Sequence, residues 1–341
     1  MIARDTAFAY KGRALDVTAI GRELNVCYVL EGSVQRARDR MRLNVQLIDA
    51  ETGSHLWAER FDKPQANLFD MQDEIVARLA NALNTELVAA EARRAEQAPT
   101  PDSMDLYFQG LAWSNRGITP ENVSQARGFF DRALAADPDN VDALIGLART
   151  DLLEGASFFV ADPAAAFAAA EAKLTKALSS LPDHARAHSY LAYVHIYTKR
   201  AAQGIAEGEH ALALDRNLAN AHSIIGLGKV FLGRAGDSEA HIIEALRLSP
   251  RDTMAYLWMI NAGLAKLHLG GWEQAAAWFR RAIEANRNNP HPQFFVVRRR
   301  RAAGPIERGA YRSRGWPRDQ PVLHHLPRPR RLEGEETIQH I

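Results

Sequence analysis

Residues 170–182 read Ala-Glu-Ala-Lys-Leu-Thr-Lys-Ala-Leu-Ser-Ser-Leu-Pro, and the skeleton inside them, Ala170, Leu174, Ala177 and Pro182, decides the fold because the chain restates it. Ala126, Phe130, Ala133 and Pro138 come before it, and Ile242, Ala245 and Pro250, then Ala275, Phe279 and Ala282, come after. With Ala211 between, the anchoring alanines stand at 133, 177, 211, 245 and 282, in steps of 44, 34, 34 and 37. The spacing has a physical reading. Small residues let two antiparallel helices approach, the large residue fills the gap between them, and proline stops the second helix. A hairpin of this kind leaves an apolar face that only a neighbouring hairpin covers, so the units must stack. About five are predicted, over residues 102–293.

Upstream, the stretch Ala98-Pro99-Thr100-Pro101 cannot sustain helical hydrogen bonding and reads as a linker over 98–101. Before it, Leu68, Met71, Ile75, Leu79 and Leu83 recur at three- and four-residue steps, which predicts a connecting amphipathic helix over 66–97. Earlier still the period changes. Met41, Leu43, Val45 and Leu47 alternate with Arg42, Asn44 and Gln46, the pattern of a strand with one buried face. A strand-like run through Tyr28, Leu30 and Val34 precedes it, and Glu51-Thr52-Gly53 turns into another at His55–Phe61. A three-stranded antiparallel meander is the economical reading. Asp16 is placed to cap a short helix whose Ile20 and Leu24 cover one sheet face. The expected fold is thus a small α+β unit over 1–65, followed by an all-α solenoid.

Composition bounds the function. The chain has 341 residues, 47% of them hydrophobic, enough for two or more cored units and too many for a disordered chain. No apolar run approaches the roughly 20 residues that cross a bilayer, and no charged start leads into an apolar stretch, so the expectation is a cytoplasmic, unexported chain. The single cysteine, Cys27, suits a reducing compartment and reads as a core residue within an apolar run. A net charge of +1 hides an asymmetry, because residues 296–341 hold 11 Arg against 5 acids, leaving 31 basic and 36 acidic residues before them. The acidic body gives no electrostatic reason to bind nucleic acid. In the tail, 294–341, Arg298–Arg301 and a series of prolines replace any helix period. Arg/Pro-rich sequence that abruptly succeeds a repeat is what a GC-rich gene yields in the wrong frame, so a frameshift near residue 296 is expected.

Catalytic signals are weak. His184 and His188 are four apart, a spacing that can serve a metal, but no Glu or Cys partner stands nearby in sequence and a surface helix is the simpler reading. Gly226, Gly228 and Gly233 are wrongly spaced for a dinucleotide loop, follow no strand, and suit close helix packing. No carboxylate pair has a setting for acid/base work, and neither a cofactor nor a metal is implied.

The repeat region resembles tetratricopeptide proteins over roughly residues 102–290. Departures are Arg216 in place of the usual proline, Ser238 in place of alanine, and about ten extra residues near Glu154–Pro163. The stretch Ile20–Leu24, Tyr28–Val34, Gln46–Ala50, Thr52-Gly53 and Leu56–Phe61 resembles the TolB-type amino-terminal domain. That domain in bacteria commonly lies between a class III adenylate/guanylate cyclase domain, or a winged-helix DNA-binding domain, and a tetratricopeptide array. The resemblance therefore implies the non-catalytic, regulatory half of a bacterial signalling protein, with a fragment of a cyclase or of a winged-helix transcription regulator as alternatives. None of the cyclase catalytic elements is in the sequence. The expected function is protein or peptide binding, with small-molecule ligands and nucleic acid not expected for the main body. With the first helix of each hairpin facing a concave surface, counting from residues 185 and 219 places Tyr193, Ile196, Tyr197, Leu227, Val230 and Phe231 on or near it. The same six equally suit packing between helices.

Overall fold

The computed structural model describes residues 16–37, 40–64, 76, 85–157, 159–250 and 252–286. The predicted positions Leu68, Met71, Ile75, Leu79 and Leu83, and the tail from residue 294, lie outside the described residues.

The amino-terminal unit opens with α1 (Val17–Leu24), whose first turn is capped by Asp16, its carboxylate accepting from the Thr18 N–H at 3.2 Å. The helix stops at Asn25, in the left-handed region at φ 51°, a conformation asparagine tolerates. Three antiparallel strands follow in the order β1 (Tyr28–Ala37), β2 (Arg40–Asp49), β3 (His55–Pro64). Tyr28 pairs with Asp49 and Leu43 with Phe61, so the alternating apolar set falls on one face, where Val45 and Phe61 are buried. The contact of α1 with the sheet runs through Gly21, buried so close to Ala50 that a Cβ there would lie 2.5 Å from the alanine's own. Ile20 and Leu24, expected to cover the sheet, are only half-buried. Cys27 is also corrected: it is exposed, because it lies in the connection before β1 and not in the apolar strand itself.

Helix α2 (85–97) is tied to this unit by polar contacts. Tyr28 Oη donates to Glu91 at 2.8 Å, and Arg94 reaches Asp49 at 3.3 Å and Glu51 at 2.9 Å.

Five helical hairpins follow: α3 (Ser103–Asn115) with α4 (Pro120–Ala136), α5 (Val141–Ala156) with α6 (Pro163–Ser180), α7 (Ala185–Tyr197) with α8 (Ala201–Leu214), α9 (Ala219–Phe231) with α10 (Ser238–Leu248), and α11 (Ala255–His268) with α12 (Trp272–Ala285). Side-chain caps start several of them, with a reciprocal Asp102–Asp105 box at α3, Thr119 at α4, Asn140 at α5 and Asp162 at α6. Proline opens α4 and α6, where its missing N–H has no partner to lose.

The repeat residues do what their sizes require. Phe130 is fully buried against two glycines of the neighbouring first helices, and a Cβ on Gly110 or Gly146 would lie 2.5 or 2.6 Å from its ring. Phe279 sits on Gly263 in the same way. The third hairpin inverts the arrangement. Its second helix carries Gly204 and Gly208 where the others carry alanine and a large residue, and the space is filled from the first helices by Ile196 and Ile225. The extra residues of the second hairpin lengthen its helices to 16 and 18 residues, against 13 and 14 in the third. A buried ionic group fixes that longer hairpin to the first: Asp151 accepts from Arg127 of α4 at 2.7 Å and from Lys173 of α6 at 2.6 Å, while Arg127 also reaches Glu154 at 2.8 Å. Among the described residues, no helix is long and apolar enough to cross a membrane.

Candidate functional site

The first helices α3, α5, α7, α9 and α11 pack on one another in sequence, and the second helices share far fewer contacts. The first helices therefore form the inner layer of the stack, the face a curved array of hairpins offers to a partner.

Three of the six residues expected on that layer are consumed by packing. Ile196 and Val230 are fully buried and Leu227 is 3% exposed. For Ile196 the cause is the space over Gly204, which it occupies; Leu227 joins Ala192, Ala201 and Ile224, and Val230 packs on Ala235 and Ala265. Tyr193, Tyr197 and Phe231 are half-buried and rest against the same cluster.

The two tyrosines form one plane-parallel series with a phenylalanine from the second hairpin. Tyr193 and Tyr197 stack with centroids 6.3 Å apart and planes at 11°, and Tyr197 stacks on Phe167 at 5.6 Å and 10°. Tyr193 Oη donates to Asn220 Oδ1 at 3.2 Å, and Asn220 Nδ2 donates to Ser189 Oγ at 3.1 Å. Burial raises the phenol of Tyr193 above the ordinary tyrosine value, and burial with the adjacent Tyr256 lifts Tyr197 to about 12. Both phenols are thus neutral near pH 7 and keep an O–H to donate.

Polar residues that the period count did not select complete the layer. Asn-to-Ser bonds recur between consecutive first helices or their caps: Asn140 to Ser103 at 2.8 Å, Asn220 to Ser189 at 3.1 Å, and Asn261 to Ser223 at 3.2 Å. Arg186 stands on the same layer; burial works against its charge, but Tyr107, Tyr190 and Asp142 more than offset this and hold its pKa above the usual guanidinium value. The signal for these residues was in the sequence, since Arg186 and Ser189 lie one period of 34 before Asn220 and Ser223.

The residues weighed for chemistry have structural employment. His184 caps α7, its Nδ1 accepting from the Ala187 N–H at 3.2 Å. His188 lies between Glu207, at 2.7 Å from Nδ1, and the Pro182 carbonyl, at 2.7 Å from Nε2. The two imidazoles therefore face different partners. Among the described residues no group of three His, Cys, Asp or Glu side chains is arranged to hold a metal. Gly226 meets Ile242 and Ser238, Gly228 meets Ile205 and Ile196, and Gly233 occupies a turn at φ 74°.

No family model matches the chain. The protein of Rhizobium meliloti (strain 1021) named "Putative adenylate cyclase 3" is 43% identical over 143 residues, 40% of this chain and 24% of that protein. The chain thus spans about a quarter of that relative's length. Among solved structures, the human IFIT1 dimer with m7Gppp-AAAA aligns at a TM-score of 0.51 and 17% identity, covering 65% of this chain and 52% of that one. A thermophilic TPR protein of Thermus thermophilus aligns at a TM-score of 0.46 and 18% identity, covering 57% of this chain and 97% of that one. The five stacked hairpins, with small residues at the helix crossings and large ones between them, define the class: a tetratricopeptide-type solenoid behind a small α+β unit.

Proposed function

We propose that this chain is a non-catalytic scaffold for protein–protein interaction, the regulatory part of a bacterial, cytoplasmic signalling protein, whose inner layer holds a peptide or helix of a partner. The observation that carries the reading is the half-buried series Tyr193, Tyr197 and Phe231 beside a hydrogen-bonded Asn220. Rigid aromatic faces give contact area at small entropic cost, and satisfied amides around them fix orientation. In this reading the α+β unit is of TolB type and precedes the repeats as an accessory domain.

The test is affinity capture from a bacterial lysate with the full chain and with a Tyr193→Ala/Phe231→Ala variant whose helical content is unchanged. A partner held by the first and lost by the second supports the inner layer as its site. A partner retained equally by both removes it.

A second reading rests on the 43% identity to "Putative adenylate cyclase 3": the chain is the non-catalytic part of a class III adenylate/guanylate cyclase. The two differ in what the repeats regulate. If a cyclase domain joined upstream changes its activity when the Tyr193/Phe231 pair is replaced, the second reading gains. Unchanged activity favours an independent scaffold. A winged-helix domain upstream would instead mark a transcription regulator.

A further inference from the structure

The sheet of the amino-terminal unit has two edges, and they are built differently. β3 is guarded: Glu59, Arg60 and Asp62 load it with charge, Pro64 ends it, and its pairing with β2 is broken in register at Leu47/Ile48. Charge, proline and irregularity are the means by which an edge strand refuses further pairing. β1 lacks such guards. It pairs with β2 in unbroken register, holds no proline or lysine, and has no strand on its other side among the described residues. Gly32 through Arg36 are all exposed. Leu30 and Val34, 46% and 57% exposed, stand bare on the face that Leu47, Val45 and Leu43 continue.

The bonding of β1 to β2 fixes which backbone groups face outward. The Ala50 N–H donates to the Cys27 carbonyl at 2.9 Å, while the Asp49 N–H turns the other way, to the Ser54 carbonyl at 2.9 Å. Antiparallel ladders alternate, so Val29, Glu31, Ser33 and Gln35 bond to β2, and Tyr28, Leu30, Gly32, Val34 and Arg36 present their N–H and C=O groups at the edge. A second β1 laid antiparallel, with Gly32 opposite Gly32, pairs every one of these groups. It also sets Leu30 against Val34 on both sides of the two-fold axis, and Glu31 against Ser33. Arg36, which has no hydrogen bond or ion pair among the described residues, comes to lie opposite Tyr28, whose hydroxyl is bound to Glu91. Neighbouring registers are poorer. Centring on Glu31 opposes two carboxylates, and centring on Ser33 places Arg36 against Leu30.

We propose that β1 is a pairing edge through which two copies of this chain join their three-stranded sheets into one continuous antiparallel sheet, centred on Gly32. The apolar face then runs unbroken from one copy to the other. The surface belongs to the α+β unit and does not depend on the partner surface proposed for the repeats.

The experiment compares the full-length chain with two double variants by sedimentation equilibrium, and follows hydrogen exchange at single amides as protein concentration is raised. The parent chain should reach twice its monomer mass, and the amides of Leu30, Gly32 and Val34 should gain protection as it does. Leu30→Lys/Val34→Lys opposes like charges on both sides of the axis and should weaken the dimer at least about a hundredfold. Leu30→Glu/Val34→Lys opposes unlike charges in the same register and should recover most of that loss. Both variants alter exposed positions, so their circular dichroism should match that of the parent. A monomeric parent chain, or equal loss in the two variants, would overturn the proposal. Protection of the three amides at every concentration would assign the edge to a segment of the same chain, and protection gained only on adding bacterial lysate would assign it to a strand of another protein; either result overturns the pairing of two copies.

Discussion

Gly204 of α8 lies directly beneath Ile196 of α7: a Cβ built on the glycine would stand 2.6 Å from Ile196 Cγ1 and 2.7 Å from the Ala192 carbonyl oxygen. The third hairpin therefore receives its filling residue from the opposite helix to its neighbours. Gly204→Ala sets two effects against each other. Helix propensity favours alanine by about 1 kcal/mol, but a backbone carbonyl cannot rotate away, and overpacking of this kind costs about 1–3 kcal/mol. The net expectation is destabilisation, read as a lower urea midpoint with unchanged slope. The same change at Gly128, which has nothing within 4 Å of its Cβ, should stabilise instead.

Asp151 is the centre of the ionic group that joins the first two hairpins, and its side chain is 8% exposed. Replacing it by alanine leaves Arg127 with Glu154 alone and Lys173 without its carboxylate, both cations being partly exposed. A loss of about 1.5–3 kcal/mol is expected, the scale of hydrogen bonds to a charged group, whereas an exposed pair such as Arg234–Asp237 should yield at most about 1 kcal/mol when broken. Chemical denaturation of the two single variants checks the contrast.

The stack should weaken in mild acid through His241. Burial, then Lys229, whose ammonium lies 2.7 Å from Nε2, then His222, push the imidazole down to about 4, with Asp237 opposing. The folded-state pKa lies below the unfolded value of about 6.5, so the unfolded chain binds the proton first. This contribution is complete above about pH 6.5 and is lost progressively as pH falls toward 4. His222 is shifted down by burial in the same sense. Thermal melts across that window should fall less steeply for His241→Gln than for the parent chain, and parallel curves would discount the group.

Binding should separate from stability at Tyr193. Tyr193→Phe keeps the stacking on Tyr197 and removes only the bond to Asn220, at a cost of about 1 kcal/mol. If the inner layer holds a partner, this variant should lose affinity beyond what its small change in melting temperature explains, and Asn220→Ala should reproduce the loss.

The repeat is legible in the sequence because its period is enforced by volume. Ala126, Phe130 and Ala133, like Ala275, Phe279 and Ala282, admit few substitutes at crossings this tight, and all six are at most 1% exposed. The meander is legible for the complementary reason, a period of two across a single buried face. The inner layer is harder to read. A period count treats each hairpin as equivalent, so it cannot register that Gly204 and Gly208 draw Ile196 and Ile225 inward. It also favours apolar residues and passes over Arg186, Asn220 and Ser189, whose importance depends on partners 27 to 79 residues away, as in the Tyr193–Asn220 bond and the Tyr107–Arg186 contact. Cys27 is misread because an apolar run in sequence need not be covered by anything in space.

The Asn-to-Ser bonds between successive first helices have a mechanical consequence. They stitch the stack along its inner edge at three of its four junctions, like threads along the spine of a book, and the second helices lie against one another far less. When a book bound this way is flexed, the spine keeps its length and the pages fan apart at the fore-edge. Strain placed on the inner layer should therefore open the outer seams between hairpins before it changes the spacing of the inner helices.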